Sequence, residues 1–143
     1  MANLIQGILP EPKRPITSVH PDMLIKQCVK IMNDENIGAL LVTDDTNTMG
    51  IVSERDIVRS LNYGGMSLES ATAADILHAD VAILKPSDTI EMAMAVITET
   101  KRRHILIAKN GQLIAMLSIG DILLSLLNSK SQMIDQLTNY INQ

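Results

Sequence analysis

The sequence predicts an α+β protein built from two copies of one β-α-β-β-α unit, followed by a C-terminal helix. The first observation is a repeat at a fixed spacing of 65 residues, in which Gly50–Ile57 (GIVSERDI) returns as Ala115–Ile122 (AMLSIGDI) without a gap. The second is the order of hydrophobic patterns, which alternates short apolar runs with helical periodicity in both copies. Because such repeats indicate a duplicated supersecondary unit, we expect the copies to be related by a pseudo-twofold axis.

Repeat one spans residues 16–61 and follows an N-terminal lead over residues 1–15. The lead contains a short helical stretch that is closed by prolines. The predicted elements of repeat one are, in order, a strand over Ile16–Val19, a helix that begins at Pro21 and is broken by Gly38, a buried strand over Ala39–Val42, a polar turn at Asp44–Asn47, a strand over Met49–Val52 and a helix opened by Ser53.

Repeat two spans residues 80–128 and has the same order of elements. The predicted elements are a strand over Val81–Leu84, a helix after Ser87-Asp88, strands over Ile105–Ile107 and Leu113–Leu117, and a helix opened by Ser118. Between the last two strands, Asn110-Gly111 is a hairpin-turn signal. Residues 62–79 are predicted to form an ordered linker that carries a short helix.

Residues 129–143 are predicted to form a C-terminal helix. Met133, Leu137, Tyr140 and Ile141 recur there at helical spacing. A stripe of this kind either docks on the protein's own core or packs on a second subunit, and the pattern is compatible with both.

Composition restricts the class of protein. A chain of 143 residues has the size of one domain, and a formal charge of −4 disfavours nucleic acid, which requires clustered Lys and Arg. The single cysteine, Cys28, excludes an intrachain disulfide and fits a reducing compartment. No apolar run approaches the length of about 18 residues that a membrane span needs, and no basic leader precedes the first apolar residues. We therefore expect a soluble, cytoplasmic protein without a membrane or nucleic-acid partner.

A Ser-x-x-Asp motif occupies the same place in both repeats, at Ser53–Asp56 and Ser118–Asp121. One interpretation is purely structural, because a Ser three residues before an acidic residue is the capping-box pattern of a helix start. The other is a ligand site, since helix N-termini favour phosphate and an acidic side chain can accept from both hydroxyls of a ribose. The spacing alone leaves both interpretations open.

The basic run Lys101–His104 makes the two repeats unequal. Arg103 and His104 lead into a predicted strand at the place where repeat one has Gly38 and Ala39. Small residues leave room for a flat ring to approach the backbone, whereas basic residues can reach a phosphate. The alternative is a solvated helix end, because cations are favourable at a helix C-terminus.

Both repeats resemble cystathionine-β-synthase (CBS) domains, and the chain resembles a stand-alone bacterial tandem CBS pair. In repeat one the resemblance rests on residues 18–22 (SVHPD), 37–42 (IGALLV) and 50–57 (GIVSERDI). In repeat two it rests on residues 86–90 (PSDTI), 103–107 (RHILI) and 117–122 (LSIGDI). It implies two β-α-β-β-α units packed as a pair, which usually dimerises into a flat disk.

The resemblance also implies an adenosyl ligand in the clefts between the units, one of AMP, ADP, ATP, NAD(H) or S-adenosylmethionine, with no metal required. By position, Asp56 and Asp121 would hold ribose hydroxyls, and Ser53 and Ser118 would contact ribose or phosphate. The base would be flanked in one cleft by Thr17-Ser18 with Gly38-Ala39, and in the other by Ala82-Ile83 with Arg103-His104. Arg103 and His104 match phosphate-contacting positions, and Arg55 is a further candidate for that role.

The chain departs from the family pattern at two places in repeat two, and the second of them leads us to expect unequal affinity at the two clefts. Ala115 replaces the glycine that usually precedes the second motif. Ile119-Gly120 stands where repeat one has the charged pair Glu54-Arg55.

The function predicted from these features is regulatory nucleotide binding, such as energy sensing, by a homodimer that changes conformation and acts on an unidentified partner protein. The alternative is a scaffold protein with empty clefts whose dimer or tail surface is its function. An enzyme is not expected, because the three histidines (His20, His78 and His104) lack metal-ligand spacing and no nucleophile–base pair is evident. We interpret these histidines and Cys28 as structural or surface groups.

Overall fold

The computed structural model describes residues 3–10, 14–62 and 65–142, and it divides into two compact units. The first unit is formed within residues 15–81, and the second combines residues from 82 onward with residues up to 14. Each unit has one three-stranded sheet with helices against it. The predicted α+β class is therefore confirmed. Within the described residues, no helix has the length and apolar character needed to cross a membrane.

The sheet of the first unit has the order β1-β2-β3. Strand β1 covers Ser18–Val19, β2 covers Ala39–Thr43 and β3 covers Thr48–Ser53. β1 is parallel to β2, and β2 is antiparallel to β3. The predicted polar turn joins β2 to β3, where Asp44 Oδ1 accepts the backbone N–H groups of Thr46 (2.8 Å) and Asn47 (2.7 Å).

The sheet of the second unit repeats this topology in the order β4-β5-β6. Strand β4 covers Ile83–Leu84, β5 covers His104–Lys109 and β6 covers Gln112–Ser118. β4 is parallel to β5, and β5 is antiparallel to β6. The predicted hairpin turn is present, because Asn110 and Gly111 both have positive φ (55° and 79°), as a type I′ turn requires.

The helices are α1 over Ile25–Glu35, α2 over Glu54–Asn62, α3 over Ala73–Ile76, α4 over Ile90–Thr100 and α5 over Ile119–Ile141. The start predicted for α1 at Pro21 is wrong, because a turn closed by a Met23 N–H to His20 O bond (3.0 Å) precedes the helix. The predicted break at Gly38 also lies too far along the chain. The helix ends at Glu35, and the φ of 55° at the following residue, Asn36, places that residue in the left-handed region.

Two short segments pack against the two units in the same way. In the first unit, the N–H of Ile25 donates to the carbonyl of Ala71 (2.9 Å), and the N–H of Ala73 donates to Met23 (2.8 Å). In the second unit, the N–H of Ile90 donates to the backbone carbonyl of Asn3 (2.8 Å), and the N–H of Ile5 donates to the backbone carbonyl of Asp88 (2.9 Å). The N-terminal segment, which has a 3-10 turn at Ile5–Ile8, therefore occupies the same position in the second unit as α3 occupies in the first.

Each unit has its own hydrophobic core. The buried core residues of the first unit are Val19, Ile25, Cys28, Met32, Leu40, Val42, Val52, Ile57, Ala71 and Ala73. Those of the second unit are Ile5, Leu84, Ile90, Ala93, Ile97, Ile105, Ile107, Ala115, Leu117 and Ile122. Burial of a large aliphatic side chain stabilises a fold by about 1.5–3 kcal/mol. These cores therefore hold the sheet of each unit against its helices.

Helix α5 is one uninterrupted element of 23 residues. The predicted second helix of repeat two and the predicted C-terminal helix are thus a single helix. Its first turns pack on the second core through Ile122, which is buried, and Leu126, which is partly buried. From Leu127 onward, every side chain that the structure describes in this helix is exposed. The C-terminal half of α5 is accordingly not part of the core of its own unit.

Candidate functional site

The predicted site residues of the first unit meet at one end of its sheet, where β2 begins and β3 ends. Ala39 is paired with Ser53 in the β2–β3 register. The backbone N–H of Leu41 donates to the carbonyl of Thr17 (3.0 Å), which places Thr17 beside the same end of β2. We call this surface the first rim; its residues are Thr17, Ser18, Gly38, Ala39, Ser53 and Asp56.

Gly38 lies directly beneath the side chain of Glu54. The backbone N–H of Glu54 donates to the carbonyl of Gly38 (3.0 Å), which holds the start of α2 against the start of β2. The Oε1 atom of Glu54 is 2.5 Å from the position that a Cβ on Gly38 would occupy. The space expected beside Gly38 is thus filled by an exposed carboxylate.

The Ser53–Asp56 motif forms a reciprocal helix cap. The backbone N–H and the hydroxyl of Ser53 both donate to Asp56 Oδ2 (2.8 Å each), and the Asp56 N–H donates to Ser53 Oγ (3.3 Å). The structural interpretation of the motif is therefore correct for this geometry, and it also fixes the carboxylate at the N-terminus of α2. Burial raises the pKa of the Asp56 carboxyl, but bonds from His78 and Ser53 outweigh it and hold the pKa below its ordinary value.

His78 makes a further bond to this carboxylate, which sequence analysis did not anticipate. Its Nδ1 lies 2.8 Å from Asp56 Oδ2, and the two side chains are only 9% and 10% exposed. An ionised carboxylate only accepts hydrogen bonds, so the imidazole carries its proton on Nδ1. Gly50 is the residue in the sequence that could have indicated this contact, since a Cβ at its position would collide with the carbonyl oxygen of His78. A glycine facing another backbone segment marks such a close approach.

The second unit brings its predicted residues together in the same way. His104 is paired with Ser118 in the β5–β6 register, and the N–H of Ile119 donates to the carbonyl of Arg103 (2.8 Å). The N–H of Leu106 donates to the carbonyl of Ala82 (3.0 Å), next to Ile83 at the start of β4. We call this surface the second rim; its residues are Ala82, Ile83, Arg103, His104, Ser118 and Asp121.

The Ser118–Asp121 motif also caps its helix, but its carboxylate has fewer bonds. The Ser118 N–H donates to Asp121 Oδ2 (2.8 Å), and the Asp121 N–H donates to Ser118 Oγ (3.1 Å). Among the described residues, these two bonds are the hydrogen bonds of the motif. The two rims therefore share one scaffold but differ in how many donors their carboxylates already accept.

The charged residues are arranged unequally. The side chain of Arg103 is exposed and that of His104 is half-buried, so the second rim carries positive charge next to the N-terminus of α5. Arg55 is exposed on α2, and within residues 3–10, 14–62 and 65–142 no hydrogen bond or ion pair attaches it to the first rim. The same residues contain no group of three or more His, Cys, Asp or Glu side chains that could hold a metal ion.

The fold and the two rims define a class of α+β protein in which one unit occurs twice, each time with a Ser-x-x-Asp motif at the start of a helix. The family pattern of the CBS domain matches residues 6–63 and 73–128, and the chain belongs to the CBS-domain family as a tandem pair. Each of the two matched ranges contains one of the two three-stranded sheets.

Relatives and solved structures are consistent with this assignment. The mitochondrial CBS domain-containing protein CBSX3 of Arabidopsis thaliana is 30% identical over 125 residues, which cover 84% of this chain and 61% of that protein. A solved CBS-domain protein from Burkholderia ambifaria is 33% identical with a TM-score of 0.80, covering 87% of this chain and 91% of that one. A hexameric CBS-CP12 protein from bloom-forming cyanobacteria has the same fold, with 21% identity and a TM-score of 0.75 over 86% of this chain and 67% of that one. The chain thus spans about three fifths of the length of the plant relative.

Proposed function

We propose that the protein is a regulatory module that binds an adenosyl ligand through its rims. The observation that carries this proposal is the convergence, in each unit, of two strand ends on a Ser-x-x-Asp helix N-terminus. Membership of the CBS-domain family supports it, since pairs of these domains generally bind adenosine ligands and act as regulators. The candidate ligands are AMP, ADP, ATP, NAD(H) and S-adenosylmethionine.

The ribose is the part of the ligand that the rims are best suited to hold. Asp56 and Asp121 sit at the third residue of their helices, where the helix dipole favours a negative charge. An ionised carboxylate has about four acceptor positions. Asp121 can therefore take two ribose hydroxyls in addition to the bond from its capping Ser. Asp56 already accepts two bonds from Ser53 and one from His78, so it can take both hydroxyls only when one of these donors is released. We therefore assign the two ribose contacts to these carboxylates.

Phosphate groups fit the second rim better than the first. Arg103 and His104 lie there beside the start of α5, whose N-terminal N–H groups favour anions. The corresponding residues of the first rim are Gly38 and Ala39, which carry no charge. We propose that a phosphorylated adenosine engages the second rim and that the first rim favours less highly charged adenosyl groups.

The proposed role is regulation without catalysis, in the cytoplasm, on a protein partner that remains to be identified. A ligand shifts a conformational equilibrium only when it binds one state better than the other. Binding must therefore change the population of conformations that the partner meets. The second candidate function is a scaffold with unoccupied rims, and the exposed half of α5 is the observation that favours it.

We also propose that the chain forms a homodimer through the C-terminal half of α5. Leu137, Tyr140 and Ile141 are 57%, 78% and 78% exposed, which is unusual for neighbouring large apolar side chains outside an interface. Light scattering compares wild type with the double variant Leu137→Asp/Ile141→Asp, and Asn139→Asp on the same helix is the matched control. We expect a dimer for wild type and control and a monomer for the double variant. An unchanged dimer would exclude this interface.

The ligand proposal is tested by calorimetry with the five candidate ligands. Wild type is expected to bind at least one of them, and Asp121→Ala and Asp56→Ala are expected to weaken binding at their own rims. The matched control is Asp75→Ala, because Asp75 caps α3 through the same bond to Thr72 N–H (2.8 Å) but lies outside both rims. No heat from any ligand at millimolar concentration would overturn the proposal and favour the scaffold.

A further inference from the structure

The carboxylates of the two rims are not equally available to a ligand. Asp56 Oδ2 accepts three bonds of 2.8 Å, from the N–H of Ser53, the hydroxyl of Ser53 and Nδ1 of His78. Asp121 Oδ2 accepts one bond in the part of the chain that the structure describes, from the N–H of Ser118. A carboxylate oxygen has two lone pairs, so Oδ2 of Asp56 is already saturated.

The backbone of the first unit explains why His78 reaches this position. The N–H of His78 donates to the carbonyl of Ile51, and the N–H of Ile51 donates to the carbonyl of His78, each at 3.0 Å. This pairing brings the chain against β3 so closely that Gly50 has no room for a Cβ. His78 is thus anchored by its backbone, and its imidazole extends to the start of α2.

The second unit cannot build the same contact. Its N-terminal segment matches the first unit's α3 segment with an offset of 68 residues, since Asn3 bonds to Ile90 as Ala71 bonds to Ile25. By this register, Pro10 takes the position of His78, and Ala115 takes that of Gly50. Proline has no backbone N–H to donate and no imidazole, and alanine adds the Cβ that the first unit excludes.

We propose that His78 is a latch on the first rim, which a ligand must displace from Asp56 before the ribose can bind there. This inference rests on the proposed function and deepens it by setting an order of occupancy. The second rim, which has no latch, is filled first. The first rim is filled only at higher ligand concentration, when the His78–Asp56 bond is exchanged for bonds from ribose hydroxyls.

The latch predicts that removal of His78 strengthens binding at the first rim. The Asp121→Ala background removes the second rim, so the remaining binding of AMP, and of ATP in a parallel series, reports on the first. In that background, His78→Ala is expected to tighten binding about tenfold, the effect of no longer breaking a hydrogen bond to a charged group. Addition of Asp56→Ala is expected to abolish the gain.

Two controls separate a latch from a structural effect. His78→Asn retains a donor near the position of Nδ1, and it is expected to keep the weak binding of the parent. The analogue 2′-deoxy-AMP lacks one of the two ribose hydroxyls, and its affinity is expected to be nearly unchanged by His78→Ala. Circular dichroism and thermal unfolding establish that each variant is folded before it is titrated.

The outcomes distinguish this inference from the function on which it rests. If wild type binds AMP or ATP and His78→Ala leaves the first rim unchanged or weakens it, the latch is overturned and the proposed function stands. Weaker binding would show that His78 positions Asp56 for the ligand rather than withholding it. If wild type binds none of the five candidate adenosyl ligands, both proposals are overturned.

Discussion

The backbone N–H of Ile90 donates to the carbonyl oxygen of Asn3 at 2.8 Å, which attaches the start of α4 to the N-terminal segment. The first N–H groups of a helix have no partner within the helix, so a carbonyl from another segment stabilises the helix start. Ile25 and Ala71 make the equivalent bond in the first unit at 2.9 Å. Residues 3–8 are therefore an integral part of the second unit.

Substitution of Ile5 by Ala is expected to destabilise the second unit. The Ile5 side chain is fully buried among the residues of the second core. Loss of three carbon atoms at such a position leaves a cavity and costs about 2–5 kcal/mol of the free energy of unfolding. Urea unfolding followed by circular dichroism measures the change. The control is Gln6→Ala at the neighbouring exposed residue, which should leave the urea midpoint nearly unchanged.

Substitution of Gly50 by Ala is expected to destabilise the first unit and to displace His78. The added Cβ would collide with the backbone carbonyl of His78, which cannot move without breaking its pairing with Ile51. Overpacking of this kind costs about 1–3 kcal/mol of the free energy of unfolding. In the same urea experiment, Gly7→Ala serves as the control, because nothing lies within 4 Å of its added Cβ. Equal midpoints for both variants would contradict the close approach.

The stability of the protein is expected to depend on the ionisation of Asp56. Burial raises the pKa of this carboxyl, but hydrogen bonds from His78 and Ser53 lower it by a larger amount. The pKa of Asp56 therefore lies below its ordinary value of 3.8. The folded state therefore binds this proton more weakly than the unfolded state does. The stabilisation is present above the ordinary pKa and is lost as the pH falls through the folded value.

Urea midpoints measured from neutral pH to about pH 2 test this dependence. Asp56→Asn should have a lower midpoint at neutral pH and a smaller decrease on acidification than wild type. Curves that run parallel for the two proteins would show that Asp56 does not contribute to the acid sensitivity.

The single cysteine is expected to react slowly with thiol reagents in the native state. The side chain of Cys28 is fully buried, and burial raises the pKa of its thiol, with a smaller opposing effect from a backbone hydrogen bond. The burial of the side chain and its raised pKa both reduce the amount of accessible thiolate, which is the reactive form. Labelling of wild type should therefore require opening of the first unit, and Gly50→Ala should accelerate it.

The matched control moves the cysteine by one residue on the same helix. Val29 is 37% exposed, so the double variant Cys28→Ala/Val29→Cys should react rapidly without unfolding. Comparable rates for the buried and the exposed cysteine would show that α1 opens readily. The measurement needs no fluorescence, which suits a chain without Trp.

Much of the local structure was predictable because it depends on short stretches of chain. The hairpin at Asn110-Gly111 requires only two residues that tolerate positive φ. The helix starts at Ser53 and Ser118 require only a Ser and an acidic residue three positions apart. The start of α1 was placed too early, since a proline is equally suited to the turn that Pro21 forms.

The sequence by itself determined that one α+β unit is present twice, because the 65-residue spacing preserves the same pattern of apolar and polar positions in both copies. It also determined that a Ser-x-x-Asp helix start follows an apolar strand in each copy. Only the tertiary structure decided that Asn3 completes the second unit and that His78 binds Asp56. Both contacts join segments that are distant in the chain, and their partners are selected by packing and backbone pairing, which no local pattern records.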